Sequence, residues 1–196
     1  MENLSSRPGE FRRYVNHLMS VAELWSRIRE IYAAHDDLCD WTFNAPASDA
    51  DVARLQNAVP QQIPQDYLAS LRVHDGCAWL PGYGELLTVD ETLRQREMYS
   101  EWQRDNGYGD HTSTLPDSDT WYPRQIDGPI KPYWWKPSRL FVTDSSGDHI
   151  AIDFDPPDNG SYGQVIDHSH ETGPSQVVAD SWTLFLTRFI TDLENG

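Results

Sequence analysis

The sequence predicts an α+β domain: helices first, then a small antiparallel or mixed sheet, then a long amphipathic helix that closes the chain. Three observations carry that expectation. Apolar residues recur at helical spacing through the first hundred residues and again after residue 180. β-Branched runs bounded by Gly, Pro and Asp occupy residues 140–166. The two kinds of segment do not alternate, which argues against a βαβ arrangement.

Each element has a local reason. Residues 1–19 carry Arg7, Arg12 and Arg13 beside Phe11, Tyr14, Val15 and Leu18, a pattern for a frayed or docking helix. Ser20 with Glu23 is a capping box, and Val21, Leu24, Trp25, Ile28, Ile31 and Tyr32 form one face of a helix to about His35. Residues 41–48 read as a linker. Ser48 or Asp49 caps a second helix with Val52, Leu55 and Val59. Pro60 ends it, and Pro64, at a first helical position, opens a third with Tyr67, Leu68 and Leu71 inward. Gly76 fits the left-handed residue that closes that helix. A strand over 85–88 follows, and Thr88 with Glu91 starts a helix running to about Asp105. Residues 140–142 and 149–154 read as strands around the turn 144–148, with Gly147 supplying a positive φ, and 164–166 as a third. Asp180 or Ser181 caps the last helix, whose apolar face is Trp182, Phe185, Leu186, Phe189, Ile190 and Leu193. The division expected is an N-terminal helical extension over 1–47, packing on a domain over 48–196.

Charge narrows the function. The chain has a net charge of −16 and only two lysines, Lys131 and Lys136, so a basic nucleic-acid-binding surface is not expected. Half of that charge lies in residues 141–187, which hold eight acids and no Lys or Arg. A folded acidic platform suits a protein that docks on a basic partner, and it does not suit one that handles phosphates. No apolar run approaches the roughly 18 residues that span a membrane. The first residues lack a secretory h-region, and Cys39 and Cys77 form no CxxC pair. A cytoplasmic protein with reduced thiols is the expectation.

Signals for catalysis are thin. His149 and Asp153 share a strand face and could join His168 and His170 around Zn²⁺ or Mn²⁺, but the spacing matches no closed motif. Turn chemistry explains the aspartates of DSSGD and DPPD. In the HDGC stretch, His74 and Cys77 could pair for nucleophilic chemistry. A partly charged His74 on the last turn of a helix, with Gly76 as stop signal, accounts for most of the same letters. Carboxylate pairs such as Glu85 with Asp90 or Glu91 arise readily among 31 acids. No GKS/T follows Gly82-Tyr83-Gly84, and no G-x-S-x-G elbow is present. Neither an enzyme nor a cofactor is expected. The region 106–137 is a long loop rich in Gly, Pro and aromatics, including Trp121, Tyr122, Tyr133, Trp134 and Trp135. These rings can cover the sheet, or stay exposed as interface anchors.

The ordered set IPQDYLASLRVHDG, GELLTVDE, WWKPSRLFVTDSSGDHIAIDFDP, GSYGQVI and the closing SWTLFLTRFI helix resembles the SUKH superfamily, the Smi/Knr-type family of cell-wall-assembly regulators and bacterial immunity proteins. The resemblance covers about 48–193, and it departs from the family pattern at Ile63, where a leucine is usual, and in the long 106–137 insert. It implies a sheet covered by helices and no catalytic residues. In bacteria it implies neutralisation of a toxin; in fungi, an interaction hub in cell-wall signalling. The absence of long disordered flanks favours the immunity role. A basic toxin, such as a nuclease or nucleotide-targeting enzyme, is the expected partner. Asp144, Asp148, Asp153, Asp155 and Asp158, helped by Trp134 and Trp135, are its expected contacts.

Overall fold

The structure is a computed structural model that describes residues 19–35, 37–38, 41–106 and 126–195. The arginine-bearing segment 1–18, Cys39, and Trp121 with Tyr122 lie outside the described residues. The order is α1 (Val21–Ala34), α2 (Asp49–Ala58), α3 (Gln65–Leu71), β1 (Cys77–Leu80), β2 (Gly84–Leu86), α4 (Val89–Asn106), β3 (Arg139–Phe141), β4 (Thr143–Asp144), β5 (His149–Asp153), β6 (Gln164–Ser169), β7 (Gly173–Ala179) and α5 (Trp182–Asn195). This is the α+β architecture expected, ending in the expected closing helix.

The helices form where local chemistry places them. Ser20 and Glu23 make both bonds of a capping box on α1, and Ser48 with Asp51 does the same on α2. Thr88 and Glu91 repeat the device on α4, and Ser181 accepts from the Leu184 N–H of α5. Pro64 is the residue before α3 and offers no side-chain cap. That helix ends at Leu71, with Arg72 in the right-handed region as its C-cap. Gly76 (φ 90°) lies beyond the closure and shapes the entry to β1, where a Cβ would meet the Leu86 carbonyl at 2.8 Å.

Two antiparallel sheets share one run of chain. β1, β2 and β4 form a three-stranded sheet in that order, and β3, β5, β6 and β7 a four-stranded one. Val142 joins β3 to β4 and stitches the sheets: its N–H donates to Ile150 and its carbonyl accepts from Leu87. The single strand expected over 85–88 is therefore half of a hairpin, and β7 was not foreseen at all. α1, α2, α3 and α5 close one side of the sheets in a core containing Leu24, Trp25, Ile28, Leu55, Ile150, Ile152, Val165 and Phe185. Burial of a residue such as Leu24 or Ile28 contributes about 1.5–3 kcal/mol. α1 is thus part of the main core: Trp25 is fully buried, and its indole N–H donates to Ser70.

A second cluster covers the other face of the four-stranded sheet. Tyr99 from α4 and Ile130 and Trp135 from the segment before β3 pack on Phe141, Ala151 and Ile166. β5 is consequently buried at every residue. Its side chains alternate as expected, but neither face is left open to solvent.

Candidate functional site

β5 divides the acidic stretch. At one end, Ser146 (φ 57°) and Gly147 (φ 95°) make the tight turn between β4 and β5, with Ser145 and Asp148 exchanging backbone bonds across it. Asp144 accepts there from the Gly147 N–H and from Gln95 of α4. Asp148 accepts from the backbone N–H and the ring Nδ1 of His170. Burial pushes the Asp148 carboxyl up, but those donors outweigh it and hold the group below the usual carboxylate range. Trp134 reaches the same end: its indole N–H donates to the His170 carbonyl, and its ring packs on Tyr99 (5.4 Å) and His168 (5.0 Å).

Asp155 and Asp158 lie past the other end, separated by the length of β5, about 13 Å at 3.3 Å per residue. Asp155 forms an ion pair with Lys131 at 2.5 Å. The five aspartates are not one surface. Two of the expected contacts leave it altogether. Asp153 is fully buried, accepting from the Asp155 N–H and from Gln164. Burial pushes its carboxyl up, and the guanidinium of Arg139, its cross-strand partner, pulls it part of the way back. Trp135 is 3% exposed within the second core cluster. Neither can touch a partner.

Arg139 was not singled out in the sequence, yet it organises this region. It is fully buried, donates to the carbonyls of Lys131 (2.6 Å), Tyr133 and Trp134, and stacks on the Tyr133 ring at 3.9 Å. An arginine in a β-branched run is a readable signal. Its partners become visible only once the register sets it opposite Asp153.

The residues that could carry catalysis are bound into the fold. His74 lies just past α3 and closes its last turn, its N–H donating to the Ser70 carbonyl at 3.0 Å, but the ring does not act through its charge. Burial depresses its pKa, its Nδ1 lies 2.8 Å from the Asn44 carbonyl, and its Nε2 faces Arg29. The neutral ring donates at Nδ1. The Cys77 thiol donates to the Trp79 carbonyl, and burial pushes it up to about 11, far from a thiolate. His149 is buried between the Thr143 carbonyl (2.7 Å) and the Tyr99 hydroxyl (3.0 Å), stacked on Phe141, with its pKa depressed by burial. Among the described residues, no group of three His, Cys, Asp or Glu side chains could hold a metal ion.

The motifs behind the resemblance prove to be joints. Asp66 of P-x-D-Y-L reaches across to α5 and accepts from the Thr183 N–H and hydroxyl. Asp75 accepts from the Val89 N–H at the start of α4. Gln164 spans the Pro129 carbonyl, Asp153 and the Ser161 N–H. Gly163 (φ 80°) lets that strand lie against Pro64, whose Cγ would be 2.6 Å from a Cβ.

Joints of this kind tie helices over two small antiparallel sheets into an α+β domain, the architecture that the resemblance implies. The chain belongs to the SMI1 / KNR4 family (SUKH-1), whose family model matches residues 46–188. It is 24% identical over 205 residues to the cell wall assembly regulator SMI1 of Saccharomyces cerevisiae, covering 88% of this chain and 40% of that protein. It is 30% identical over 197 residues to the cell wall biosynthesis/cell cycle regulator smi1 of Schizosaccharomyces pombe, covering 90% and 36%. A KNR4/SMI1 homolog of Eremothecium gossypii is 43% identical over 68 residues, 34% of this chain and 10% of that protein. The chain spans 40% or less of the length of these relatives.

Proposed function

We propose that this chain is a non-catalytic regulatory domain that acts in cell-wall assembly by docking partner proteins. The observation that carries the reading is the alignment of 88–90% of the chain with two cell-wall regulators. The expectation of toxin neutralisation rests on the acidic stretch and on short flanks, and flanks carry no weight for a chain that spans 40% or less of the length of these relatives. What supports a docking role is the end of the sheet where Trp134, Asp144 and Asp148 sit together. An aromatic ring beside two carboxylates suits an apolar anchor flanked by Lys or Arg.

The test is affinity capture from the native organism at low salt, comparing the wild type with Asp144→Lys/Asp148→Lys and with Trp134→Ala. Partners linked to wall synthesis, lost or bound about tenfold more weakly by the variants, are the expected result. A partner set identical for all three proteins removes this surface from the reading. A single toxic partner bound one-to-one restores the immunity role.

A further inference from the structure

Two histidines lie side by side beneath the cover that carries Trp134. His149 of β5 and His168 of β6 are cross-strand partners, both buried, with ring centroids 6.3 Å apart. Phe141 of β3 touches both rings, stacked on His149 at 4.1 Å and tilted on His168 at 4.8 Å. Each histidine holds a different part of the cover. The His149 Nδ1 donates to the Thr143 carbonyl, which leaves its Nε2 as acceptor for the Tyr99 hydroxyl of α4. The His168 Nε2 lies 2.6 Å from the Trp134 carbonyl and donates to it. Tyr99 ties the two parts together, its ring lying against both Trp134 and Trp135.

The arrangement suits uncharged rings. Burial pushes the Tyr99 hydroxyl up to about 12, so it keeps its proton and acts as the donor. A proton on the His149 Nε2 removes the acceptor that Tyr99 uses and places a cation under apolar rings. Burial opposes that cation and prevails, with His170 on the same side; the Thr143 carbonyl and the Asp144 and Asp148 carboxylates favour it. Beside His168 the charge is already positive, because Arg139 donates to the same Trp134 carbonyl. From α4, Arg96 is turned to the Pro137 carbonyl and Gln95 to Asp144. A charged ring must therefore reach water, and the cover is the side that can give way. It packs through a small cluster, Tyr99, Ile130 and Trp135 on Phe141, Ala151 and Ile166, whereas the other face of the sheet carries the main core.

We propose that the His149–His168 pair is an acid-released latch: proton uptake lifts Tyr99 and residues 130–135 from the sheet and disperses the surface formed by Trp134, Asp144 and Asp148. As control of partner docking, the latch rests on the function proposed above; the opening itself is a property of the free chain. Opened rings take up protons at the ordinary histidine value of about 6.5 and shut ones do not, so the latch is closed at neutral pH. Below that value, each proton taken up raises the open fraction by up to about tenfold per pH unit.

The test is fluorine NMR of the full chain labelled with 5-fluorotryptophan, from pH 7.5 to 5, each resonance being assigned by a single substitution with Phe. Trp134 and Trp135 are expected to gain a solvent isotope shift together below pH 6.5, while Trp25 and Trp182 of the main core stay buried. Tyr99→Phe takes away the bond that favours the neutral ring, so it should move the release to higher pH. His149→Gln takes up no proton and should flatten the release by up to about tenfold per pH unit. Should His149→Gln fail to fold, Tyr99→Phe, which loses only a hydroxyl, carries the same test. Wild-type Trp134 and Trp135 that stay in place down to pH 5, or that move only together with Trp25 and Trp182, overturn the proposal. So does a Tyr99→Phe chain loosened by one factor at every pH, the mark of a merely structural contact. Release as expected, with partner capture indifferent to Trp134→Ala, supports the latch and removes the docking role.

Discussion

Replacing Asp66 with alanine should cost far more than a half-buried surface carboxylate usually does. One of its oxygens accepts from the Tyr67 N–H at 2.9 Å, and the other accepts from the Thr183 N–H at 2.9 Å and the Thr183 hydroxyl at 3.1 Å. Alanine leaves two first-turn N–H groups, one on α3 and one on α5, without an acceptor. Loss of an N-cap acceptor costs about 0.5–2 kcal/mol, and loss of a negative charge at a helix N-terminus about 0.3–1 kcal/mol. Two helix ends then lose about 2–3 kcal/mol together. For a chain of 196 residues, that lowers Tm by roughly 4–12 °C, at about 2–4 °C per kcal/mol. Differential scanning calorimetry reads the shift directly. Asp66→Asn, which keeps one acceptor, should recover about half of it. Thr183→Val removes the hydroxyl bond alone, so it should lose less than Asp66→Ala and show coupling with it in a double-mutant cycle of about 0.5–1 kcal/mol. A loss below about 0.5 kcal/mol in Asp66→Ala, or additive losses in the cycle, would refute the claim that this motif joins α3 to α5.

Three further outcomes follow from the same geometry. Burial depresses the pKa of His149, so below its ordinary value of about 6.5 the unfolded chain binds the additional proton and stability falls as pH drops. Urea titrations from pH 6.5 down to 5 should show His149→Gln losing stability less steeply than the wild type, by up to about 1.4 kcal/mol per pH unit; parallel curves would show that the ring is not held neutral. The raised carboxyls of Asp75 and Asp153 work with the opposite sign in both proteins and cancel in the difference. Gly163→Ala adds a Cβ 2.6 Å from Pro64 at φ 80° and should cost about 2–4 kcal/mol, measurable by denaturant midpoint; a change under about 0.5 kcal/mol would mean that the contact yields freely. In a Cys39→Ser background, Cys77 should stay unreactive to a thiol reagent at pH 8 until denaturant is added, and rapid labelling of the folded protein would contradict its burial.

Much of the fold was legible because its causes are local. A capping box lies within four residues, as Ser20–Glu23 and Thr88–Glu91 do, and a helix face repeats every turn, as Trp182 to Ile190 does. The turn over 144–148 was legible for the same reason, since its geometry is settled by Ser146 and Gly147 themselves. β1 and β7 are not legible in the sequence because β1 has only four residues, two of them exposed, and β7 opens on Gly173-Pro174, which reads as a turn.

The candidate sites were legible as composition and not as position. The sequence by itself determined that acids crowd 141–187 and that aromatics crowd the segment before β3. Only the tertiary structure decided which of them face solvent. Tyr99 meets His149 fifty residues away, Arg139 meets Asp153 across β3 and β5, and Trp135 turns inward while its neighbour Trp134 stays at the rim. A strand offers two faces, and the sequence cannot state whether a distant helix covers the second. Here Tyr99 of α4 and the segment before β3 do, while Arg139 and Gln164 enclose Asp153 and the length of β5 separates Asp144 and Asp148 from Asp155 and Asp158.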